Sequence, residues 1–432
     1  MDTADSIRAA LGDPGRLESL YQAARRRGQA GEFAAVLESS YEQAPDNALY
    51  AAWHYRLQAE VAPVRTVAAR WRVAVPLALL SSLVFAALTD EHLTLPDHTP
   101  LVMLLWAPLA GAAIIAFLAL ASRSGWRRPV FAVLGLAAAT AYALLWARIP
   151  VLRDYRTLML LHLPLAAWIA VVLSLLGVRP GREPFFAVLA KSVEVLITGG
   201  VFAIVTMIFV GITAGMLSQL GVSIRPETTM RLVGAALGAL PALAVATVYD
   251  PERAPLDQTF EQGVGHLLAT ITRLVLVPAS VVLVVILGLV PFSFTRPFAD
   301  RGLLIAYNAM LFAVMALVLG AAPMRGEGLT PRYVRALRWG ITAVAALAVL
   351  VSLYAMSATV YRTVQGGLTP NRMTVIGWNT INIVILGALA AGQVRCREGD
   401  WLGSLHAVFA RGAAAYVVWA TFLILATPLI FR

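Results

Sequence analysis

Eleven apolar runs, at residues 73–89, 101–121, 130–147, 158–178, 185–220, 232–248, 274–290, 303–322, 339–360, 373–392 and 408–430, fill most of this chain. A helix needs about 20 apolar residues to cross a bilayer, and a water-soluble core has no room for eleven such runs. The solvent is therefore lipid, where only helices and closed barrels satisfy every backbone group. Barrel strands would alternate apolar and polar positions in segments of about ten residues, whereas these runs are unbroken. The expected fold is all-α, a polytopic integral membrane helical bundle of about 11 transmembrane helices over residues 71–432. Apolar residues make up 59% and charged residues 13% of the chain, against about 45–50% and about 25% in soluble domains.

The net charge of +10 raises nucleic acid as a partner, but the placement of the charges points elsewhere. Lys191 is the one lysine; with it, Arg273 and Arg411 set aside as lying in or beside apolar runs, 31 basic residues fall in loops and flanks. Alternating the loops between two sides gives 21 on the side of the N-terminus and 10 on the other. Basic residues collect on the cytoplasmic side. The expectation is a bacterial inner membrane protein, multi-pass, with a cytoplasmic N-terminus and an outside C-terminus, whose partners are membrane lipids and not nucleic acid. Asp2 and Asp5 stand where a secretory signal would be basic, so the first span is expected to serve as the insertion signal. Cys396 is the single cysteine, which leaves no intrachain disulfide.

Residues 1–70 read differently. Asp13-Pro14 is a helix start, with Leu17, Leu20, Tyr21 and Ala24 at helical spacing behind it. Phe33, Val36, Leu37 and Tyr41 mark a second helix, and Pro45-Asp46-Asn47 opens a third through Trp53 and Leu57. The expectation is a small cytoplasmic helical module of one and a half tetratricopeptide-like hairpins, either a cap or a contact for a cytoplasmic protein.

The fifth run is too long for one crossing: 36 residues make about 54 Å of helix against a hydrocarbon core of about 30 Å. Lys191 and Glu194 lie on one face of its first third. An interfacial start, bending into the span near Gly199-Gly200, would solvate the pair; within the membrane it would be a site, so the two residues are secondary candidates. Residues 260–273 have the stripe of an amphipathic surface helix, with Arg273 snorkelling. Gly211 and Gly215, and Gly234 and Gly238, offer small surfaces for helix packing.

Gly328-Leu329-Thr330-Pro331 and Gly367-Leu368-Thr369-Pro370 are each followed at the same distance by a tryptophan, Trp339 and Trp378. Thr-Pro favours helix starts, and one intervening span would place the copies on opposite sides, as in the inverted repeats of transporters. Around the second copy, Arg362 and Arg372 bracket the turn, with Tyr354, Tyr361, Trp378, Asn379 and Asn382 expected within a turn or two of the membrane boundary. Guanidinium groups suit carboxylate or phosphate; the alternative is arginines snorkelling to lipid phosphate beside an aromatic belt. Arg362, Arg372, Tyr361, Tyr354, Trp378 and Asn379 are the leading binding candidates.

The stretch 354–378, with Tyr361-Arg362, Gly367-Leu368-Thr369 and Arg372 before an apolar span, resembles a bacterial family of polytopic membrane proteins defined as domain-of-unknown-function family 4153. The hydropathy layout over 185–392 is similar to that family too. The resemblance implies a multi-helix inner-membrane protein and no particular activity.

His-Glu-x-x-His, Gly-x-Ser-x-Gly and phosphate-loop motifs are absent, so catalysis is not the expectation, and no cofactor or metal is expected. Asp90, Glu91, His92, Asp97 and His98 read as a solvated turn before a cation site, and Asp250, Glu252, Asp257 and Glu261 as solvated loop charges. A transporter or permease-like protein for a small solute or lipid is the leading expectation. The alternative is a membrane-embedded sensing or assembly protein acting through its N-terminal module. A polar cavity at mid-bilayer depth would favour the first and a packed apolar interior the second.

Overall fold

The computed structural model describes residues 12–26, 30–61, 63–122, 125–149, 153–221, 225–260, 263–324, 330–396 and 400–431. Two compact units divide the chain, Met1–Arg72 and Val73–Arg432.

The first unit contains α1 (Pro14–Arg26), α2 (Ala30–Gln43) and α3 (Ala48–Val61). As the sequence leads one to expect, Asp13 and Asn47 are side-chain caps. Asp13 Oδ1 accepts from the amides of Gly15 and Arg16 at 3.0 and 3.1 Å, and Asn47 Oδ1 from that of Leu49 at 3.0 Å, satisfying amides that the first turn leaves open. Leu17, Tyr21, Phe33, Leu37, Trp53 and Leu57 form the core, with the three rings 5.3 to 5.6 Å apart. Arg56 lies 4.5 Å over the Trp53 ring and forks onto Glu18 at 2.5 and 3.1 Å. That fork, with Gln22 second, holds the Glu18 carboxyl below its usual range.

The second unit is all helix, with no strand among its described residues. Its helices, some preceded by 3-10 turns, are α4 (Pro63–Leu88, whose residues up to Arg72 fall in the first unit and of which Arg70–Leu88 is a candidate span), α5 (Leu101–Ala121), α6 (Arg127–Ala147), α7 (Arg153–Leu176), α8 (Arg182–Gln219), α9 (Pro226–Val248), α10 (Gly263–Leu289), the short α11 (Arg296–Ala299), α12 (Arg301–Ala321), α13 (Pro331–Gly366), α14 (Pro370–Arg395) and α15 (Trp401–Ile430). Among the described residues, 11 helices are long and apolar enough to cross a membrane. Helices α10 and α12–α15 share one core with Phe186 of α8. A second core unites α5–α7, and Ile424 of α15 reaches into it.

That reach has a backbone cause. Pro428 lies inside α15 and has no amide to offer the Ile424 carbonyl one turn earlier. The Tyr155 hydroxyl of α7 donates to that carbonyl at 2.9 Å, and Tyr142 donates to the carbonyl of Leu425 at 2.8 Å. A proline is thus accommodated in a spanning helix by its neighbours.

Two sequence expectations are corrected. The stripe over 260–273 is not a separate surface helix: α10 runs unbroken from Gly263 through Arg273 into the span. Its Thr272 packs on α12, where a Cβ on Gly320 would fall 2.7 Å from the Thr272 methyl. Arg273 does not snorkel; its Nε donates to the Ala321 carbonyl at 3.2 Å. Of the two glycine pairs, Gly234 and Gly238 receive Thr89 and Phe85 of the first span and its following turn, whereas Gly211 and Gly215 meet nothing.

Candidate functional site

Helix α8 carries the first half of the site. Its 38 residues are continuous through Gly199-Gly200, and Lys191 sits about 14 Å from its start at 1.5 Å per residue. Lys191 and Glu194 are not solvated at an interface, contrary to the interfacial reading: they are 3% and 8% exposed. The segment between α9 and α10 covers them. Lys191 Nζ donates to Glu194 Oε2 at 2.7 Å and to the Thr259 carbonyl at 2.5 Å, and lies 5.1 Å from the Phe260 ring. Gly265 closes on the carboxylate, where a Cβ would come within 3.0 Å of Oε2. Gln258 staples the covering segment, accepting from the Asp250 amide at 3.0 Å and donating to the Asp250 carbonyl at 2.8 Å. No sequence periodicity marks this cover, because the segment is a loop; Glu261 lies outside the described residues.

Behind the pair, α5, α7, α8 and α9 enclose a cavity of about 480 Å³. Ala107, Gly111, Ala167, Val171, Val193 and Val245 are among its lining, while Lys191, Ser192 and Trp168 bring polar atoms to it. Trp168 Nε1 is already given to Ser192 Oγ at 2.9 Å. Trp106 and Leu196 also line the cavity and are 46% and 74% exposed, so it opens laterally between α5 and α8.

The leading candidates of the sequence divide into two separate places. Near the start of α12, the Tyr354 hydroxyl donates to the Phe294 carbonyl at 2.8 Å and its ring packs on Phe294, Phe298 and Tyr307. Tyr361 is half exposed and edges onto Phe298 at 5.3 Å. Arg362 donates to the Ala299 carbonyl at 3.2 Å, and Arg372 to the Gly367 carbonyl at 2.6 Å. Each guanidinium closes the C-terminal end of a helix, α11 and α13, and the two share no partner. Arg156 on Ala147, Arg273 on Ala321, and Arg338 on Gln393 and Cys396 repeat the device. The last carbonyls of a helix have no intrahelical donor and carry partial negative charge, which a cation satisfies twice over.

Trp378, Asn379 and Asn382 lie elsewhere, deep in the bundle. Helix α14 begins at Pro370 and puts Trp378 about 12 Å and Asn382 about 18 Å along it. Trp378 Nε1 donates to Nε2 of His162 at 3.2 Å, and His162 is fully buried with Nδ1 2.7 Å from the Leu158 carbonyl. Accepting at Nε2 and donating at Nδ1 describes a neutral imidazole. Asn379 Nδ2 donates to Asn308 Oδ1 at 2.7 Å, and the Tyr416 hydroxyl to Asn382 Oδ1. Asn382 is fully buried and its Nδ2 has no hydrogen-bond partner among the described residues. Gly377 admits the Trp419 ring against the α14 backbone, a seat that a Cβ would fill. His162 and Tyr416 were missed in the sequence, though a histidine inside an apolar run was itself a signal.

The two Thr-Pro starts behave alike, Thr330 capping the Tyr333 amide at 3.4 Å and Thr369 that of Arg372 at 3.3 Å. Their tryptophans do not: Trp339 is 56% exposed, whereas Trp378 is partly buried with its ring 4.9 Å from that of Tyr416. Gly328 and Leu329 lie outside the described residues. In the loop after the first span, Asp90 pairs with Arg231 at 2.5 Å, and the Asp97 side chain lies outside the described set. Among the described residues no three of His, Cys, Asp or Glu gather to hold a metal ion.

No family model, curated protein or solved structure matches this chain.

Proposed function

We propose that this chain is a transporter or permease-like protein for a small amphipathic molecule, a lipid or a single-chain amphiphile. One observation carries the proposal: an apolar cavity of about 480 Å³ between four spans, open at Trp106 and Leu196, with Lys191 among its lining residues. The volume falls within the range of about 300–1,000 Å³ typical of ligand pockets. An ion pair inside a membrane protein is costly unless it has a task. Lys191 gives two of its three donors to Glu194 and Thr259. A polar solute is less well served, since the mid-helix polar groups Trp378, His162, Asn379, Asn308 and Tyr416 bond to one another.

In this proposal the chain sits in the bacterial inner membrane with its N-terminus cytoplasmic and C-terminus outside, supported by the 21 to 10 partition of basic residues. Membership of domain-of-unknown-function family 4153 is proposed on the Tyr361-Arg362 and Gly367-Leu368-Thr369 element. A sensing or assembly role through the N-terminal module is the second reading. It is favoured by an aromatic surface there, in which Tyr41 stacks on His54 at 4.2 Å beside a Tyr55 that is 63% exposed.

Native mass spectrometry of the purified full chain tests the first reading. A co-purifying lipid or amphiphile, lost in Val193→Trp, is the expected result; a chain that carries none, or Val193→Trp with unchanged ligand, would overturn it.

A further inference from the structure

A second, larger cavity of about 870 Å³ opens at the end of the bundle formed by the last turn of α7 and the loops after α5 and α9. Its lining includes Arg127, Arg128 and Arg253, with Glu252 the one carboxylate among the lining residues. Asp250 engages Arg253 at 3.4 Å, so among the described lining residues the cations left to a ligand are Arg127 and Arg128, adjacent in sequence at the start of α6 and both exposed. Gly177, at φ +74°, turns the chain beside Arg128, whose Cζ would be in ordinary contact, 3.7 Å, with a Cβ there. This vestibule and the apolar cavity beside Lys191 share one wall, made by Leu118, Leu175 and Tyr249. Burial, and then the Asp250 carboxylate, pushes the Tyr249 phenol up to about 12, so it keeps its proton at neutral pH.

A basic, water-facing chamber that abuts an apolar, laterally open one has the two-part chemistry of an anionic lipid. We infer that Arg127 and Arg128 hold a phosphate headgroup whose acyl chain occupies the cavity lined by Val193 and Ala167. Guanidinium groups fork onto phosphate oxygens. The vestibule also lies on the side that the basic-residue partition assigns to the cytoplasm, where anionic lipids concentrate and basic pockets between spans select them. The inference rests on the amphiphile reading of the apolar cavity and adds the headgroup class.

The test uses the full chain in nanodiscs of equal parts phosphatidylglycerol and phosphatidylcholine, with retained lipids counted by native mass spectrometry. The wild type is expected to retain phosphatidylglycerol several-fold over phosphatidylcholine. The double variant R127A/R128A should bring the ratio to about one, and R127K/R128K should keep a preference, which a merely unfolded protein would not. Val193→Trp should lower retention of both lipids. An unchanged ratio in R127A/R128A, alongside lipid loss in Val193→Trp, would overturn the headgroup assignment and leave the cavity reading standing. Unchanged retention in Val193→Trp would overturn the cavity reading and the inference with it. If radiolabelled inorganic phosphate binds the wild type and Val193→Trp equally and displaces the phosphatidylglycerol preference, the vestibule serves free phosphate and the lipid assignment is wrong.

Discussion

The Lys191 ammonium and the Glu194 carboxylate lie 2.7 Å apart inside α8, and the same ammonium reaches the Thr259 carbonyl of the segment joining α9 to α10. One side chain therefore ties a span to the loop that covers it. Breaking a buried pair by removing one partner strands the other charge, at a cost of about 3–5 kcal/mol, whereas replacing both by apolar residues is often neutral. Lys191→Met and Glu194→Leu should each lower the melting temperature of the purified protein, and the double variant should recover most of the loss. Single variants that melt like the wild type would show that the pair bears no such strain.

Arg362 and Arg372 each close a different helix end. A hydrogen bond to a charged group is worth about 1.5–3 kcal/mol when its partner is buried and less when exposed. Both sites are exposed, so Arg362→Ala and Arg372→Ala should each cost about 1 kcal/mol in thermal unfolding and leave bound ligand unchanged. Loss of ligand at unchanged membrane abundance would instead support a shared anion pocket at this turn.

The Trp378 indole donates to His162 across α14 and α7. Trp378→Phe keeps an aromatic ring and removes the donor, leaving a buried acceptor unpaired at about 1–3 kcal/mol. Removing both polar members of the neighbouring bond, in Asn382→Leu with Tyr416→Phe, also removes the unpartnered Asn382 amide and should melt no lower than the wild type. A double variant that fails to accumulate in the membrane would show that the network is needed for folding.

Much of this architecture was legible before the fold was known, and the reasons are physical. Lipid forces each span to be an apolar run, so eleven runs gave eleven candidate spans. Asp13, Asn47, Thr330 and Thr369 act within four residues of themselves, which local sequence encodes. Partnerships across helices were not legible. His162 and Trp378 are 216 positions apart, and nothing in the periodicity of either run selects the other. For Arg362 and Arg372 the sequence leaves an anion pocket and snorkelling to lipid phosphate both open, and for Arg273 it suggests snorkelling, because a sequence does not reveal which helix ends come to lie beside an arginine. Lys191 was read as solvated for the same reason, its cover being a loop from 68 residues away.

In the loop after the first span, the hydrogen bond from the His92 amide and then the Arg231 charge outweigh the opposing desolvation and hold the Asp90 carboxyl below the usual carboxylate range. A depressed pKa gives stability that is present above the unfolded value of about 3.9 and lost as pH falls through the folded one. Arg231→Gln should therefore melt below the wild type at pH 7, with the difference shrinking below about pH 4. A difference that persists undiminished at low pH would assign the Arg231 effect to something other than this ion pair.

The basic-residue partition makes a separate claim about orientation. A reporter that fluoresces only in the cytoplasm, fused after Arg432, should stay dark in intact cells, and a bright signal would contradict an odd number of crossings from a cytoplasmic N-terminus.

Movement of an amphiphile through the cavity beside Lys191 is the central claim, and lipid exchange in proteoliposomes measures it most directly. With a fluorescent phospholipid in both leaflets and a membrane-impermeant quencher added outside, vesicles containing the full chain should lose well over half of the signal. Protein-free vesicles, and vesicles carrying Val193→Trp, should level off near half. Equal quenching in wild-type and protein-free vesicles would contradict the account.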